Sequence, residues 1–328
     1  MDIKIIGSRV KNLLSYDWVK IVFSIVAGIG VWSLLFTTLG TRITLGQEFH
    51  FYTYENVSTA GSDKNIEILN KVKNKGYFSY DVLQLSPNSV IGGGQYSASY
   101  MLSLKMSTHE GDVIIISDDR ADTDNTKKGV EITSMINSCN MFEIPTLLSK
   151  ARDYCVSNGF VIEEGESWKL DEGVIKSHFL DTRLKSAGNY KKTYRTAQQK
   201  EEGAKNEVTR IKTLYENYLY VSRAIEKAKL AGNDFLWYGT LYSYDINGNA
   251  IEDSAEVKPL GIDLYKLNQP FIESGVPSIE ETWFTYANGK PTSEGLVACV
   301  FNFSSYQADL QYETLGFLRY LIETYSRY

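Results

Sequence analysis

The chain has 328 residues, of which 43% are hydrophobic and 23% are charged, with only 6 prolines. This composition excludes a disordered or collagen-like chain, and the length allows one large domain or two smaller ones. The formal net charge is -6, with 34 Lys and Arg against 40 Asp and Glu. Nucleic-acid affinity comes from cations that neutralise phosphates, and no basic stripe is present, so a nucleic-acid partner is not expected.

An apolar segment near the N-terminus separates a basic tail from an acidic remainder. Residues Ile21 to Thr41 carry no charged side chain and are flanked by Lys20 and Arg42. As a helix they would span about 31 Å, the thickness of the hydrocarbon core of a bilayer. Residues 1–20 have a net charge of +2, and the positive-inside rule places such a tail in the cytoplasm. The sequence therefore predicts a tail over 1–20, a single-pass membrane anchor over 21–41 and an extracytoplasmic remainder.

The remainder is strongly acidic. The residues through Arg42 carry five cationic and two anionic side chains, so residues 43–328 have a net charge of -9. A cleaved signal peptide and a buried globular helix are the alternatives to the anchor. A signal peptide has an apolar region of about 7 to 15 residues and a small-x-small cleavage site. The segment here is longer and has no clear site of that kind, which favours the anchor.

The three cysteines, Cys139, Cys155 and Cys299, are an odd count for an exported protein. Cys299 lies in an apolar run typical of a core strand. The other two are close enough in sequence to leave a disulfide open. The histidines lack zinc-binding spacing, so no metal or cofactor is expected.

The segments after the anchor alternate between strand and helix patterns. The first five are predicted as a strand over 49–54, a helix over 63–75, a strand over 78–85, a helix over 95–109 and a strand over 112–117. This β-α-β-α-β order predicts a parallel sheet and an α/β fold. The later predicted elements are a helical region over 135–157, a short acidic segment over 159–171, a long helix over 190–230, a hairpin of strands 235–246 and 250–260, a strand over 295–303 and a terminal helix over 309–325.

Ligands of open α/β sheets bind beyond the carboxyl ends of the strands. Polar and aromatic residues follow the predicted strands, and two tryptophans belong to an aromatic excess that suits ligand binding. A solvated loop is the alternative for the aspartates, and core packing is the alternative for the aromatic residues. The candidate ligand-binding residues are Tyr54, Glu55, Asn88, Asp118, Asp119, Trp237 and Trp283.

Three stretches of this chain resemble the extracellular solute-binding proteins of bacterial uptake systems, which have the type II periplasmic-binding-protein fold. They are YSASYMLSLKMSTHEGDVIIIS (Tyr96 to Ser117), VKPLGIDLYKL (Val257 to Leu267) and GLVACVFNFSSYQADLQYETLGFLRYLIE (Gly295 to Glu323). The resemblance implies two lobes, the first over 42–119 and 259–328 and the second over 120–258, which the short length of the chain predicts to be reduced. It also implies a partner such as the membrane permease of an ABC transporter or another protein of the cell envelope.

Together with the anchor predicted from the apolar segment, the resemblance predicts a membrane-anchored protein that binds a small polar ligand, a sugar or peptide, between two lobes by hinge closure. No catalytic motif is present, so the protein is not expected to be an enzyme. A structural or interaction protein of the cell envelope with the same fold and no ligand is the alternative. A cell-wall hydrolase is a third reading, which a carboxylate pair with perturbed pKa values would favour.

Overall fold

A computed structural model describes residues 18–33, 43, 47–54, 57–90, 97–117, 141–186, 190–245, 250–269, 275–287, 289–302 and 312–328. The chain divides into two compact units, Met1–Arg42 and Ile43–Tyr328.

The first unit contains a helix, α1, over residues 18–33. Its apolar side chains are exposed, with Phe23 at 73%, Val26 at 61% and Ile29 at 64%. Among the described residues, no helix is both long enough and apolar enough to cross a membrane. Residues 34–41, the second part of the predicted anchor, lie outside the described residues.

The second unit mixes helices and strands, which confirms the predicted α/β class. Its strands are β1 (Glu48–Tyr54), β2 (Ser58–Thr59), β3 (Gln84–Val90), β4 (Val113–Ser117), β5 (Val161–Glu164), β6 (Ser167–Leu170), β7 (Leu236–Tyr244), β8 (Ala250–Asp263), β9 (Trp283–Ala287), β10 (Lys290–Thr292) and β11 (Leu296–Val300). Its helices are α2 (Lys64–Asn74), α3 (Ala98–Ser107), α4 (Ile144–Ser157), α5 (Glu172–His178), α6 (Leu184–Ser186), α7 (Tyr190–Thr193), α8 (Ala197–Leu230), α9 (Leu264–Asn268) and α10 (Thr314–Tyr325). A π-helical turn, Phe179–Arg183, follows α5, and a short 3-10 turn, Ile279–Glu281, precedes β9.

Local sequence explains where the main helices begin. Thr196 and Gln199 form a capping box at the start of α8, in which each side chain accepts a hydrogen bond from the backbone of the other residue. Pro145 lies in the first turn of α4, where its missing N–H has no helical partner to lose. Both helices then bury an apolar stripe, α4 against β8 and α8, and α8 against α4 and α10.

The main sheet has six strands in the order β3-β1-β4-β11-β8-β7. The strands β3, β1 and β4 are parallel, which confirms the predicted β-α-β-α-β opening. The strands β11, β8 and β7 continue the sheet in antiparallel pairs. A three-stranded sheet, β10-β9-β2, and the β5-β6 hairpin complete the strand pairing of the described residues.

The strand predicted over 78–85 is displaced, because β3 begins at Gln84. Tyr77, Phe78 and Val82 are buried in the core without belonging to a strand. Pro87, which the sequence places in a turn, lies within β3 opposite Phe51. An edge strand tolerates proline because one side of it needs no N–H donor.

The two predicted lobes are not separate compact units, because residues 43–328 form a single one. One hydrophobic core joins Phe49 and Leu318 from the predicted first lobe with Leu147 and Leu214 from the predicted second lobe. Helix α8 contacts α4, α5 and α10, and so connects both parts of the prediction. The boundaries at 120 and 258 therefore match no division of the chain.

Candidate functional site

The parallel half of the sheet contains a topological switch point. From β1 the chain passes through α2 to β3 on one side of β1, and then through α3 to β4 on the other side. Helix α2 packs into the main core with Phe49 and Phe51 of β1, whereas α3 packs into a second core with Tyr52 and Tyr54. The two helices thus cover opposite faces of the sheet. In such sheets the loops diverge between the two central strands and leave a crevice at their carboxyl ends.

The crevice expected from this topology lies between the end of β1 at Tyr54 and the end of β4 at Ser117. Glu55 follows β1 directly, and Asp118 and Asp119 follow β4 directly. These three candidate residues lie outside the described residues. Tyr54 itself is 9% exposed, and its ring belongs to the second core. Chain position thus brings four of the seven predicted ligand-binding residues to the switch point.

The prediction that Trp283 binds a ligand is wrong, because its side chain is fully buried and cannot line a ligand site. Its indole N–H donates to Oδ1 of Asn65 over 2.8 Å, and its ring packs 5.8 Å from that of Phe51. The alternative reading of core packing is the one that the structure supports.

Asn88 and Trp237 lie far from each other. Asn88 is on β3, at one edge of the six-stranded sheet, and Trp237 is on β7, at the other edge. Five strand spacings of about 4.8 Å separate the two edges by roughly 24 Å. Asn88 is exposed and donates to the carbonyl of Ser86, while Trp237 is half-buried beside the second core. A small ligand therefore cannot contact both.

A cluster of buried polar groups lies at the opposite end of the parallel strands. Asp112 precedes β4, and its Oδ2 accepts a hydrogen bond from the backbone N–H of His50 at 2.7 Å. Burial, together with the nearby carboxylates of Glu313 and Glu48, raises the pKa of Asp112 to about 7, although the hydrogen bond from His50 lowers it. Nε2 of His50 is buried without a hydrogen bond and lies 3.8 Å from Oε2 of Glu48. Burial also lowers the pKa of His50. We call Glu48, His50 and Asp112 the β1–β4 polar cluster.

A second cluster of buried polar residues is held together by ion pairs. Arg183 of the π-helical turn contacts Glu207 and, over 2.6 Å, Asp81. Glu207 also accepts from Arg210 at 2.8 Å, and all four side chains are at most 5% exposed. Burial alone would raise the pKa of Glu207, but Arg210 and Arg183 outweigh it and lower the pKa to about 2. We call these four residues the α8 ion network.

Sequence reasoning missed both groups of buried polar residues. Glu207 and Arg210 fall on the same helical stripe as Ile211 and Leu214, and a charge on an apolar stripe is the signal that could have revealed the network. His50 likewise alternates with Phe49 and Phe51 in β1, which marks it as facing a different layer.

The surface also has a shallow, open pocket of about 520 Å³. It lies where α5 meets the end of α4, and its floor is mainly apolar. Its lining residues are Asn158, Phe160, Asp171, Gly173, Val174, Ser177, His178 and Asp181. The sequence analysis pointed to none of them.

Metal ligation has no support in the described part of the chain, where no three His, Cys, Asp or Glu side chains are grouped to hold an ion. Cys155 and Cys299 are buried and form no disulfide, and Cys139 lies outside the described residues. Burial raises the pKa of the Cys155 thiol to about 12, which makes it a poor nucleophile.

Comparison with known proteins finds no matching family model, no similar curated protein and no similar solved structure.

Proposed function

We propose that this chain is a membrane-anchored, extracytoplasmic protein that binds a small polar ligand, a sugar or peptide, at the switch point between β1 and β4, without catalysis. The observation that carries the proposal is the placement of α2 and α3 on opposite faces of the parallel strands. Such an arrangement would leave a crevice beyond the carboxyl ends of the two central strands, which Glu55, Asp118 and Asp119 follow in the chain. Carboxylates there would accept hydrogen bonds from the hydroxyl or ammonium groups of the ligand.

The ligand would bind at the sheet edge of a single compact unit, since the described residues offer no second lobe to close over it. The proposal keeps the solute-binding role that the family resemblance implies, but it does not include a hinge between two lobes. A permease or another envelope protein would be the partner that receives the ligand or the signal.

The ligand-binding proposal is tested with the full chain in detergent, screened by thermal shift and calorimetry against sugars and short peptides. A ligand that raises Tm should bind at least tenfold more weakly to the double variant Asp118→Asn/Asp119→Asn. Asp153→Asn is the matched control, because this exposed aspartate lies on α4. Equal loss of affinity in the control, or no response to any ligand class, would reject the proposal.

The membrane anchor is supported by the apolar and exposed surface of α1, which bears Phe23, Val26 and Ile29. We expect the full chain to stay with the membrane fraction after alkaline extraction, and protease added outside the cell to digest residues 43–328. The double variant Val26→Lys/Ile29→Lys should be released, because each charge in a bilayer costs about 2.5–3.5 kcal/mol. Retention of that variant in the membrane would contradict the anchor.

A structural or interaction role in the envelope is the second candidate. It is favoured by Trp283, which fills the core where a ligand-contacting tryptophan was predicted. A ligand screen in which no compound binds, together with a stable complex with another envelope protein, would favour this role.

A further inference from the structure

The open pocket beside α5 is built along one face of that helix. Val174, Ser177 and His178 are spaced three and four residues apart, so their side chains leave the same side of α5. Asp181 follows one turn later, in the π-helical turn. Helix α4 contributes Asn158, the residue that caps its carboxyl end. The volume of about 520 Å³ lies in the range of sites that hold small molecules.

The π-helical turn that forms part of the pocket is held in place at both ends. Arg183 at its end pairs with Glu207 and, over 2.6 Å, with Asp81. Phe179 at its start packs edge-on against Tyr194, with the ring centroids 5.4 Å apart. Single π turns inside helices are rare and occur frequently at functional sites. The pocket therefore lies beside an unusual element that a ligand does not have to order.

One end of the pocket has an unmatched negative charge. Oδ1 of Asp171 accepts a hydrogen bond from a backbone N–H in the first turn of α5 over 3.0 Å. This bond offsets the positive end of that helix and leaves Oδ2 for a ligand. The two lysines nearby in the chain are engaged elsewhere, Lys176 with Glu172 and Lys185 with Asp181. Within the described residues, Asp171 therefore has no cationic partner.

The carboxyl end of α4 adds to this negative potential. The dipole of a helix places partial negative charge at that end, and a basic side chain in the last turn commonly offsets it. The last turn of α4 has no basic residue. Apolar surface lines the same pocket, since Val174 is 39% exposed and the ring of His178 packs 4.9 Å from that of Phe160. The pocket thus suits a cation on an apolar chain and disfavours an anion.

We propose that this pocket binds a primary ammonium group on a short apolar chain, as in a free alkylamine or the lysine side chain of a peptide. The ammonium group donates to Oδ2 of Asp171, and the chain packs against Val174 and the ring of His178. This second site goes beyond the proposed function at the switch point between β1 and β4. Binding here is therefore independent of Asp118 and Asp119.

The experiment titrates the full chain in detergent with n-pentylamine by calorimetry in about 0.15 M NaCl, with detergent alone as the blank. The amine should bind with a Kd below about 1 mM. Its neutral match, n-pentanol, should bind at least about fivefold more weakly, because it has no charge to donate to Asp171. An N-acetyl-lysine amide and its side-chain-acetylated form make the same comparison for a peptide. The tighter of the two amines identifies the source of the ammonium group.

Asp171→Asn isolates the charge, because asparagine caps a helix as well as aspartate does. It should weaken amine binding at least about fivefold. Glu172→Gln is the matched control, since Glu172 is the neighbouring carboxylate and does not line the pocket, and it should leave the binding unchanged. The double variant Asp118→Asn/Asp119→Asn should bind the amine as the wild type does, which separates this site from the proposed function.

Absence of binding by both amines would overturn the proposal, and so would equal binding of each amine and its neutral match. Equal weakening by Asp171→Asn and Glu172→Gln would also overturn it, because the effect would then come from surface charge alone. If Asp171→Asn fails to fold, Ser177→Trp gives the decision. An indole at that position fills the pocket and should abolish amine binding, so unchanged binding would reject the site.

Discussion

The α8 ion network and the β1–β4 polar cluster bury similar side chains with opposite consequences. In the network, the carboxylates of Asp81 and Glu207 meet two guanidinium groups, and the pKa of Glu207 falls to about 2. In the cluster, Asp112 has no cation in contact, and burial raises its pKa to about 7. Burial thus favours the charged form of a carboxyl group only where a cation is buried with it. We therefore expect removal of a charge from the network to destabilise the fold, and ionisation of Asp112 at neutral pH to weaken it.

The largest expected effect comes from removing one charge of the network. Glu207→Gln leaves the buried charge of Arg210 uncompensated and leaves Arg183 with Asp81 alone, and breaking a buried pair in this way costs about 3–5 kcal/mol of unfolding free energy. Urea denaturation measures it. Glu201→Gln is the control on the same helix, because Glu201 forms an exposed pair with Lys205 and its loss should leave the midpoint unchanged. Equal stability of Glu207→Gln and wild type would show that the network does not hold the fold.

The pH dependence of this effect follows from the lowered pKa of Glu207. The unfolded carboxyl titrates near 4.5 and the folded one near 2. The stabilisation is therefore fully present above pH 4.5 and is lost as the pH falls towards 2. The difference between wild type and Glu207→Gln should shrink over that interval.

Asp112→Asn should raise the free energy of unfolding at neutral pH, whereas Glu207→Gln lowers it. The unfolded carboxyl titrates near 3.8 and the folded one near 7, so the wild type loses stability as the pH rises between these values. The variant should match the wild type at pH 4 and exceed it above pH 7, by an amount on the order of 2–4 kcal/mol. Denaturation at a series of pH values measures the difference, with Asp153→Asn as the exposed control. A variant that is less stable at pH 8 would mean that Asp112 is held ionised by a partner.

The smallest effect tests how tightly α8 packs against the rings of Phe179 and Tyr194. A Cβ on Gly203 would lie 2.6 Å from the ring of Phe179 and 2.8 Å from that of Tyr194, so both rings must shift. Overpacking of this kind costs about 1–3 kcal/mol, and alanine returns up to about 1 kcal/mol through helix propensity. We expect Gly203→Ala to lower Tm by a few degrees. Glu202→Ala, at the exposed neighbouring position, should not lower it.

The sequence predicted elements better than it predicted contacts. The parallel opening could be predicted because β1 is rich in aromatic residues and the apolar residues of α2 follow the helical period. The position of β3 could not, since Ser86, Pro87 and Asn88 form a turn pattern that only an edge position overrides.

The candidate site was predictable only where chain position determines it. The residues after β1 and β4 follow from topology alone. The burial of Trp283 depends on Asn65, which lies 218 positions earlier, and no local pattern encodes that contact. The contact between Asp81 and Arg183 in the α8 ion network could not be predicted for the same reason, because the two residues lie 102 positions apart.

Residues 43–328 form one compact unit, and this has a kinetic consequence. A receptor whose halves rotate around its ligand shows a slow step after encounter, so its observed rate levels off as ligand is added. Here the long helix α8 connects α4, α5 and α10 within one unit. Ligand would meet a scaffold that is already assembled, with only loops to adjust. Its association should be a single phase whose rate rises in proportion to ligand concentration.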